Sequence, residues 1–211
     1  DYYPIFLNLE GHTCVVVGGG EVAERKARAL LESGARVRVV SPRLIKGLRS
    51  LASEGAVEAV VHPFEPRDLE GASLVIAATS DADVNRRVAL EAERRRLLVN
   101  VVDVPSQGNF IAPAAVRQGG LVVAISTGGG SPALARKLRQ ELEKNFVPRY
   151  AMLLGLVAEV RRDFRSKGKH VTADAWQASL DGKLMELVGR GEMETARQNL
   201  VASLEKWNKA S

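Results

Sequence analysis

Two short stretches carry the residue types that could do chemistry. In VNVVDVPSQGNF, residues 99–110, the β-branched Val99, Val101 and Val102 read as a buried strand, and Asp103 follows where the strand runs out. Two readings of this carboxylate are open: an acid that forms the turn before Pro105, or a base aimed into a cleft. In VVVGGGEVA, Gly18-x-Gly20-x-x-Ala23 stands between an apolar run and a helical pattern. Gly18 permits the tight turn, Gly20 lets a pyrophosphate approach the backbone, and Ala23 lets helix and strand pack closely. The first helical N–H groups then face the phosphates. With Gly19, Glu21 and Val22 filling the loop and first turn, the motif predicts a dinucleotide site.

One part of that site is missing. An acid about 20 residues on should accept the ribose 2′-OH of NAD, yet the second strand ends in VVSPR, with Ser41, Pro42 and Arg43. Ser41 suits a ribose hydroxyl and Arg43 suits a 2′-phosphate, so the residues leave NAD and NADP both open. Thr79 and Ser80, at the end of a later strand, are expected to face the same crevice.

The elements that must position these residues follow from periodicity. Thr13–Val17 is a strand, and Val22, Ala23, Ala27, Leu30 and Leu31 fall at helical spacing until Gly34 ends the pattern. A strand at Val37–Val40, a helix at Leu44–Glu54 and strands at Val57–Val61 and Leu74–Ala78 come next. A helix at Asp81–Arg96, capped by Asp81 and packed through Val84, Val88, Ala89 and Ala92, leads to the strand Leu98–Val102. Continuously apolar strands alternating with helices imply a parallel sheet covered on both faces. The fold expected is an α/β, Rossmann-type doubly wound sheet over residues 1–113. Residues 114–118 and 121–126 flank Gln118-Gly119-Gly120 as a hairpin, and Ser131-Pro132 opens a helix. From Ala133 the chain reads as helical, with breaks near Pro148, Gly168, Gly182 and Gly191.

Composition bounds the rest. With 45% hydrophobic and 26% charged residues and no apolar run long enough to span a bilayer, no membrane role is expected. The lone Cys14 excludes an internal disulfide and reads as a buried structural thiol; with no charged-then-apolar leader, a cytoplasmic setting is expected. His12, His62 and His170 share no ligand spacing, so no resident metal is expected. Residues 131–169 hold ten Lys/Arg against four acids, a block of +6, so the rest of the chain sums to −1. That block predicts an anionic partner. Nucleic acid is disfavoured, because no recognition-helix motif is present and acids interrupt the basic run.

PIFLNLEG, VVVGGGEVAERKARALLESGARVRVVSP, IAATSD, NVVDVPSQGNFIAPA and AISTGGGSPALARKLRQELE occur in that order. Together they resemble the precorrin-2 dehydrogenase/sirohydrochlorin ferrochelatase family of siroheme synthesis. That family includes stand-alone dehydrogenases, bifunctional dehydrogenase–ferrochelatases and the N-terminal halves of siroheme synthases. The resemblance covers about residues 3–150, and the tail matches only in its helical character. It implies oxidation of precorrin-2, a tetrapyrrole polycarboxylate, to sirohydrochlorin with NAD as cofactor, with Fe²⁺ insertion as a further step in bifunctional members. It also implies a homodimer interlocked through about residues 114–150, and the helical pattern of 151–211 is expected to form a separate helical domain.

The same resemblance ties Asp103, the acid of NVVD, to catalysis. Asn109 of NFIAPA and Arg136 of the basic block are candidates for binding the substrate, and the 127–131 loop with Thr127, Gly128 and Ser131 reads either as a carboxylate cradle at a helix N-terminus or as a tight turn before a dimer helix. The chain departs from the family's usual pattern at Val104–Gly108, where a bulkier or acidic stretch is common, and position 127 varies between Ser and Thr. A reading from a different class is an NAD(H)-sensing regulatory module with a helical signalling tail. It explains the glycine loop and the basic helices but not the joint occurrence of NVVD, NFIAPA and STGGGSP.

Overall fold

The computed structural model describes residues 2–210 and divides into two compact units between Ala112 and Pro113. The first contains β1 (Thr13–Val17), α1 (Glu21–Leu31), β2 (Arg36–Val40), α2 (Lys46–Ser53), β3 (Val57–Val60), β4 (Leu74–Ala77), α3 (Ala82–Arg94) and β5 (Leu98–Val101). All five strands are parallel, in the order β3-β2-β1-β4-β5. The doubly wound α/β fold is therefore present. The strand order reverses between β1 and β4, which opens a crevice beyond their carboxyl ends.

Strands β1 and β4 are apolar on both faces because both faces are covered. Cys14 and Val16 pack with Ala23, Ala27, Leu30 and Leu48 on one side of the sheet, and Val15, Val17 and Val75 pack with Val88 and Ala92 on the other. Asp81 caps α3 as expected, its carboxylate accepting the N–H groups of Asp83 (2.9 Å) and Val84 (3.1 Å). Short 3₁₀ turns at Pro66–Leu69 and Pro105–Gln107, each opened by a proline, were not expected from periodicity.

The second unit starts with the antiparallel hairpin β6 (Ala114–Gln118) and β7 (Leu121–Ile125). It continues with α4 (Pro132–Asn145), α5 (Val147–Ser166), α6 (Ala173–Ser179), α7 (Gly182–Gly189) and α8 (Met193–Ala210). Ser131 caps α4, accepting the Leu134 N–H at 3.2 Å. Pro148 lies in the first turn of α5, where its missing N–H leaves no helical acceptor unpaired, so the chain turns there and runs on without a break across residue 150. Gly168 and Gly191 adopt φ of 65° and 75° just past helix ends. Gly182 instead opens α7 behind its cap Asp181, which accepts the Leu184 N–H at 2.8 Å. Leu156, Val160 and Phe164 of α5, Leu184 and Val188 of α7, and Ala196, Leu200 and Leu204 of α8 form the core of this unit. No helix among the described residues is long and apolar enough to cross a membrane.

Candidate dinucleotide and catalytic site

A crevice of about 940 Å³ opens at the carboxyl edge of the sheet, lined from the ends of all five strands. Of the residues singled out from sequence, Gly18, Gly19, Gly20, Glu21, Val22, Ser41, Pro42, Arg43, Thr79, Ser80 and Asp103 all border it. Ala23 is fully buried beneath, among the residues that join α1 to the sheet.

The three glycines differ in what they exclude. A β-carbon on Gly18, at φ 139°, would lie 2.4 Å from the Ala78 carbonyl oxygen, and Gly19 is closed off by the β2–α2 turn. Gly20 has open space on that side. The first two are therefore required by the protein's own packing, and the third leaves room beside the N-terminus of α1. That cradle suits a pyrophosphate held by backbone N–H groups. Ser41 is buried, and its hydroxyl donates to the Arg43 carbonyl oxygen at 2.8 Å, so it shapes the β2–α2 turn. Arg43 is exposed at the rim.

Thr79 is held from below. Its N–H donates to Asn85 Oδ1 at 3.2 Å, and Asn85 Nδ2 donates to the Thr79 carbonyl oxygen at 3.0 Å. Sequence reasoning missed Asn85. The signal was a polar side chain three and four residues before Val88 and Ala89, inside the apolar stripe of α3. It also missed Pro63, Phe64 and Arg87, which border the crevice from the loop after β3 and from α3. Those residues belong to no motif.

Asp103 adopts φ 63°. Val104 N–H donates to the Val101 carbonyl oxygen at 3.3 Å, so Asp103 is the third residue of a turn that needs a positive φ. Aspartate tolerates that region better than most side chains. Its carboxylate is exposed at the rim and accepts no hydrogen bond among the described residues. Burial, and after it the neighbouring Arg25, hold the Lys26 ammonium on α1 below the usual lysine range, with the Asp103 charge opposing them.

Asn109 is placed away from the crevice lining. Its Oδ1 accepts the Val99 N–H at 2.8 Å and its Nδ2 donates to the Leu97 carbonyl oxygen at 2.9 Å. Its own N–H donates to the Val99 carbonyl oxygen at 2.9 Å. Asn100, buried in β5, donates to the Phe110 carbonyl oxygen at 3.0 Å. Residues 108–110 thus cover the free edge of β5 and fix the strand that ends at Asp103.

In the second unit, Thr127 and Ser131 bond each other: Ser131 N–H donates to Thr127 Oγ1 at 3.1 Å, and Gly128 N–H donates to Ser126 Oγ at 3.1 Å. These bonds build the tight turn ahead of α4. Arg136 is exposed on α4. The acids of the basic block are already paired: Glu141 with Lys137, Glu143 with Arg139, and Glu159 and Asp163 with Arg197. Arg136, Lys144 and Arg149 keep no carboxylate partner among the described residues. No cluster of three His, Cys, Asp or Glu side chains with metal-binding geometry occurs among those residues.

Fold and glycine loop together define a dinucleotide-binding protein of the doubly wound class. Residues 5–114 match the family model described as putative NAD(P)-binding, and residues 118–145 match the model of the sirohaem biosynthesis protein central segment. The chain belongs to this NAD(P)-binding family of sirohaem biosynthesis proteins. It is 43% identical over 197 residues to the siroheme synthase of Methylobacillus flagellatus, covering 92% of this chain and 42% of the relative. It is 43% identical over 210 residues to that of Pseudomonas entomophila, covering 95% and 44%. The chain thus spans less than half the length of these curated relatives. The solved structure of SirC, a precorrin-2 dehydrogenase, superposes with a TM-score of 0.79 at 25% identity, over 97% of this chain and 100% of that one.

Proposed function

We propose that this chain oxidises precorrin-2 to sirohydrochlorin, with NAD⁺ as the hydride acceptor. The observation that carries the reading is Asp103, an exposed carboxylate free of hydrogen bonds among the described residues, at the rim of a crevice whose glycine cradle suits a dinucleotide. The relatedness to siroheme synthases and the likeness to SirC over its whole length support the choice of substrate. When bound, NAD⁺ supplies the nicotinamide carbon that takes the hydride. Gly20 and the N-terminus of α1 hold the pyrophosphate, the 41–45 turn and Thr79–Ser80 border the remainder, and Asp103 takes the proton. Loss of one hydride and one proton converts precorrin-2 to sirohydrochlorin and leaves NADH and a protonated carboxylate, which returns its proton to solvent. No group with a strongly perturbed acidity is required, because the new conjugation drives the reaction and the protein mainly aligns the partners.

The exposed Arg136 and the 127–131 turn are the proposed contacts for the substrate's acetate and propionate groups in the second unit. A second copy of the chain is the proposed cover for α4, which buries no residue of its own and leaves Leu134 and Leu138 exposed at i, i+4 spacing. The proposed tasks divide as 1–113 for NAD, 114–150 for dimerisation and a helical 151–211, the last two lying in one compact unit through which α5 runs. In a second step the same Asp103 carboxylate is suited to accept pyrrole N–H protons as Fe²⁺ enters sirohydrochlorin.

The test is to supply precorrin-2 and NAD⁺ anaerobically and follow sirohydrochlorin optically, then to add Fe²⁺. Absence of an NAD⁺-dependent spectral change, with dinucleotide binding retained, would favour a sensing module over the dehydrogenase. Repeating the assay with NADP⁺ resolves the role of Arg43.

A further inference from the structure

Among the described residues, three side-chain hydroxyls line the crevice, those of Ser41, Thr79 and Ser80. Two of them are already spent. Ser41 Oγ donates to the Arg43 carbonyl oxygen at 2.8 Å and is buried. Thr79 Oγ1 donates to Asn85 Oδ1 at 2.8 Å, with the Asp81 carbonyl oxygen 2.9 Å away as a second acceptor, and it accepts the Asp81 N–H at 3.1 Å. Ser80 lies between Thr79 and Asp81, is exposed, and its hydroxyl makes no hydrogen bond among the described residues.

The backbone on either side of Ser80 is anchored. Ala78 N–H donates to the Val17 carbonyl oxygen at 2.8 Å, and a β-carbon on Gly18 would lie 2.4 Å from the Ala78 carbonyl oxygen and 3.3 Å from the Thr79 nitrogen. From the helix side, the buried Asn85 carboxamide meets Thr79 at its N–H (3.2 Å), its carbonyl oxygen (3.0 Å) and its hydroxyl (2.8 Å). Asp81 in turn is tied to Thr79 Oγ1 and caps α3. Five polar contacts thus fix the two neighbours of one free hydroxyl at the lining of the crevice.

We propose that Ser80 hydrogen-bonds a ribose hydroxyl of the bound dinucleotide, and that Asn85 is its positioning residue, acting through Thr79. A serine hydroxyl both donates and accepts, as a ribose hydroxyl does, so the two match in either direction. Because the flanking residues are already held, little chain freedom is lost when the bond forms, and more of its strength appears as affinity. Ser41 and Thr79, whose hydroxyls are spent, build the walls instead.

This inference rests on the NAD-dependent reading, and its test needs no turnover. Calorimetric titrations use NAD⁺ and ADP-ribose, which keeps both ribose units and lacks the nicotinamide. Ser80→Ala is expected to lower affinity for both ligands about three- to tenfold without moving the melting temperature, and Ser80→Thr to keep most of the wild-type affinity. A loss confined to NAD⁺ would place Ser80 against the nicotinamide and overturn the ribose assignment. Unchanged affinity for both ligands in Ser80→Ala would overturn the contact itself.

The positioning role is read from a double-mutant cycle. Asn85→Ala should weaken NAD⁺ binding about as much as Ser80→Ala does, and adding it to Ser80→Ala should cost little more. A merely structural role would lower affinity by the same factor in both backgrounds, which would overturn the positioning. Should Asn85→Ala fail to fold, Thr79→Val, which keeps the shape of the side chain and removes its hydroxyl, takes its place in the cycle with the same two readings. Wild-type protein that binds NAD⁺ with these effects yet leaves precorrin-2 unchanged would sink the dehydrogenase reading and leave the Ser80 contact standing. Wild-type protein that binds neither ligand would overturn both.

Discussion

Gly19 lies so close to Arg43 that a β-carbon there would come within 1.8 Å of the Arg43 carbonyl oxygen and 2.6 Å of Ser41 Oγ. The first glycine loop and the β2–α2 turn are therefore one packed unit, joined also by Ile45 N–H donating to the Gly19 carbonyl oxygen at 2.9 Å. The nearest contact is backbone, and Ser41 Oγ is itself tied to the Arg43 carbonyl oxygen, so neither gives way readily.

The contrast with Gly20 yields the first prediction. Gly19→Ala should lower thermal stability by several degrees or prevent folding, because backbone must shift to admit the methyl. Gly20→Ala meets nothing within 4 Å and should melt within a few degrees of the wild type. It should nonetheless weaken NAD⁺ binding about tenfold or more, since its methyl occupies the space left for the pyrophosphate. Differential scanning fluorimetry with and without NAD⁺ separates the two effects. Equal dinucleotide binding by Gly20→Ala would show that the cradle is not used as assigned.

Asn109 yields the second. Its carboxamide holds the Val99 N–H of edge strand β5 and the carbonyl of Leu97 just before it. Asn109→Ala should cost about 1–2 kcal/mol, since water replaces only part of two backbone hydrogen bonds at a partly buried edge. Chemical denaturation measures this, and Asn109→Asp should cost a similar amount because it cannot donate to Leu97. If Asn109→Ala leaves stability unchanged and raises only KM, the side chain serves the substrate instead.

Asn109 also marks where the sequence ceased to be legible. The apolar strands, the glycine loop and the Asp81 and Ser131 caps could be read because each depends on residues within a few positions of one another. The roles of Asn109 and Asn85 depend on side chains meeting backbone on another element. Asn109 reaches back to β5, and Asn85 clamps the turn after β4. No local periodicity encodes such contacts. A motif can say that Asn109 matters without saying that what it holds is a strand.

Cys14 gives a pH prediction. Burial pushes its thiol from 9.0 up to about 11. Above 9.0 the unfolded chain loses this proton while the folded chain keeps it, so the unfolded state binds fewer protons and stability falls with rising pH. The contribution is fully present below pH 9.0 and is lost as the pH rises through about 11. Urea melts across this window should decline more steeply for the wild type than for Cys14→Ala, and equal slopes would contradict the burial effect. The native thiol should also resist a disulfide reagent that reacts readily in urea.

The exposed pair on α4 predicts the assembly state. Leu134 and Leu138, 49% and 37% exposed, lie on one face of a helix with no buried residue. Replacing Leu138 with Glu should shift the protein from dimer to monomer in sedimentation velocity while helical content by circular dichroism stays constant. A wild-type chain that sediments as a monomer at all concentrations would remove the proposed partner.

Asp103 calls for a substitution chosen by backbone geometry. At φ 63°, alanine would add about 1 kcal/mol of strain, so Asp103→Ala mixes a folding defect with a chemical one. Asparagine tolerates the left-handed region and matches the carboxylate in shape but cannot take a proton. Asp103→Asn should therefore melt like the wild type, bind NAD⁺ with unchanged affinity and turn over precorrin-2 about a hundredfold or more slowly, the usual scale for loss of a base. Asp103→Gly should likewise fold, because glycine adopts this φ at no steric cost, and should be equally inactive. Near-normal turnover by either variant would return Asp103 to the role of a turn residue. A melting temperature lowered in Asp103→Ala but not in Asp103→Asn would trace the folding defect to the backbone and leave the loss of turnover to the carboxylate.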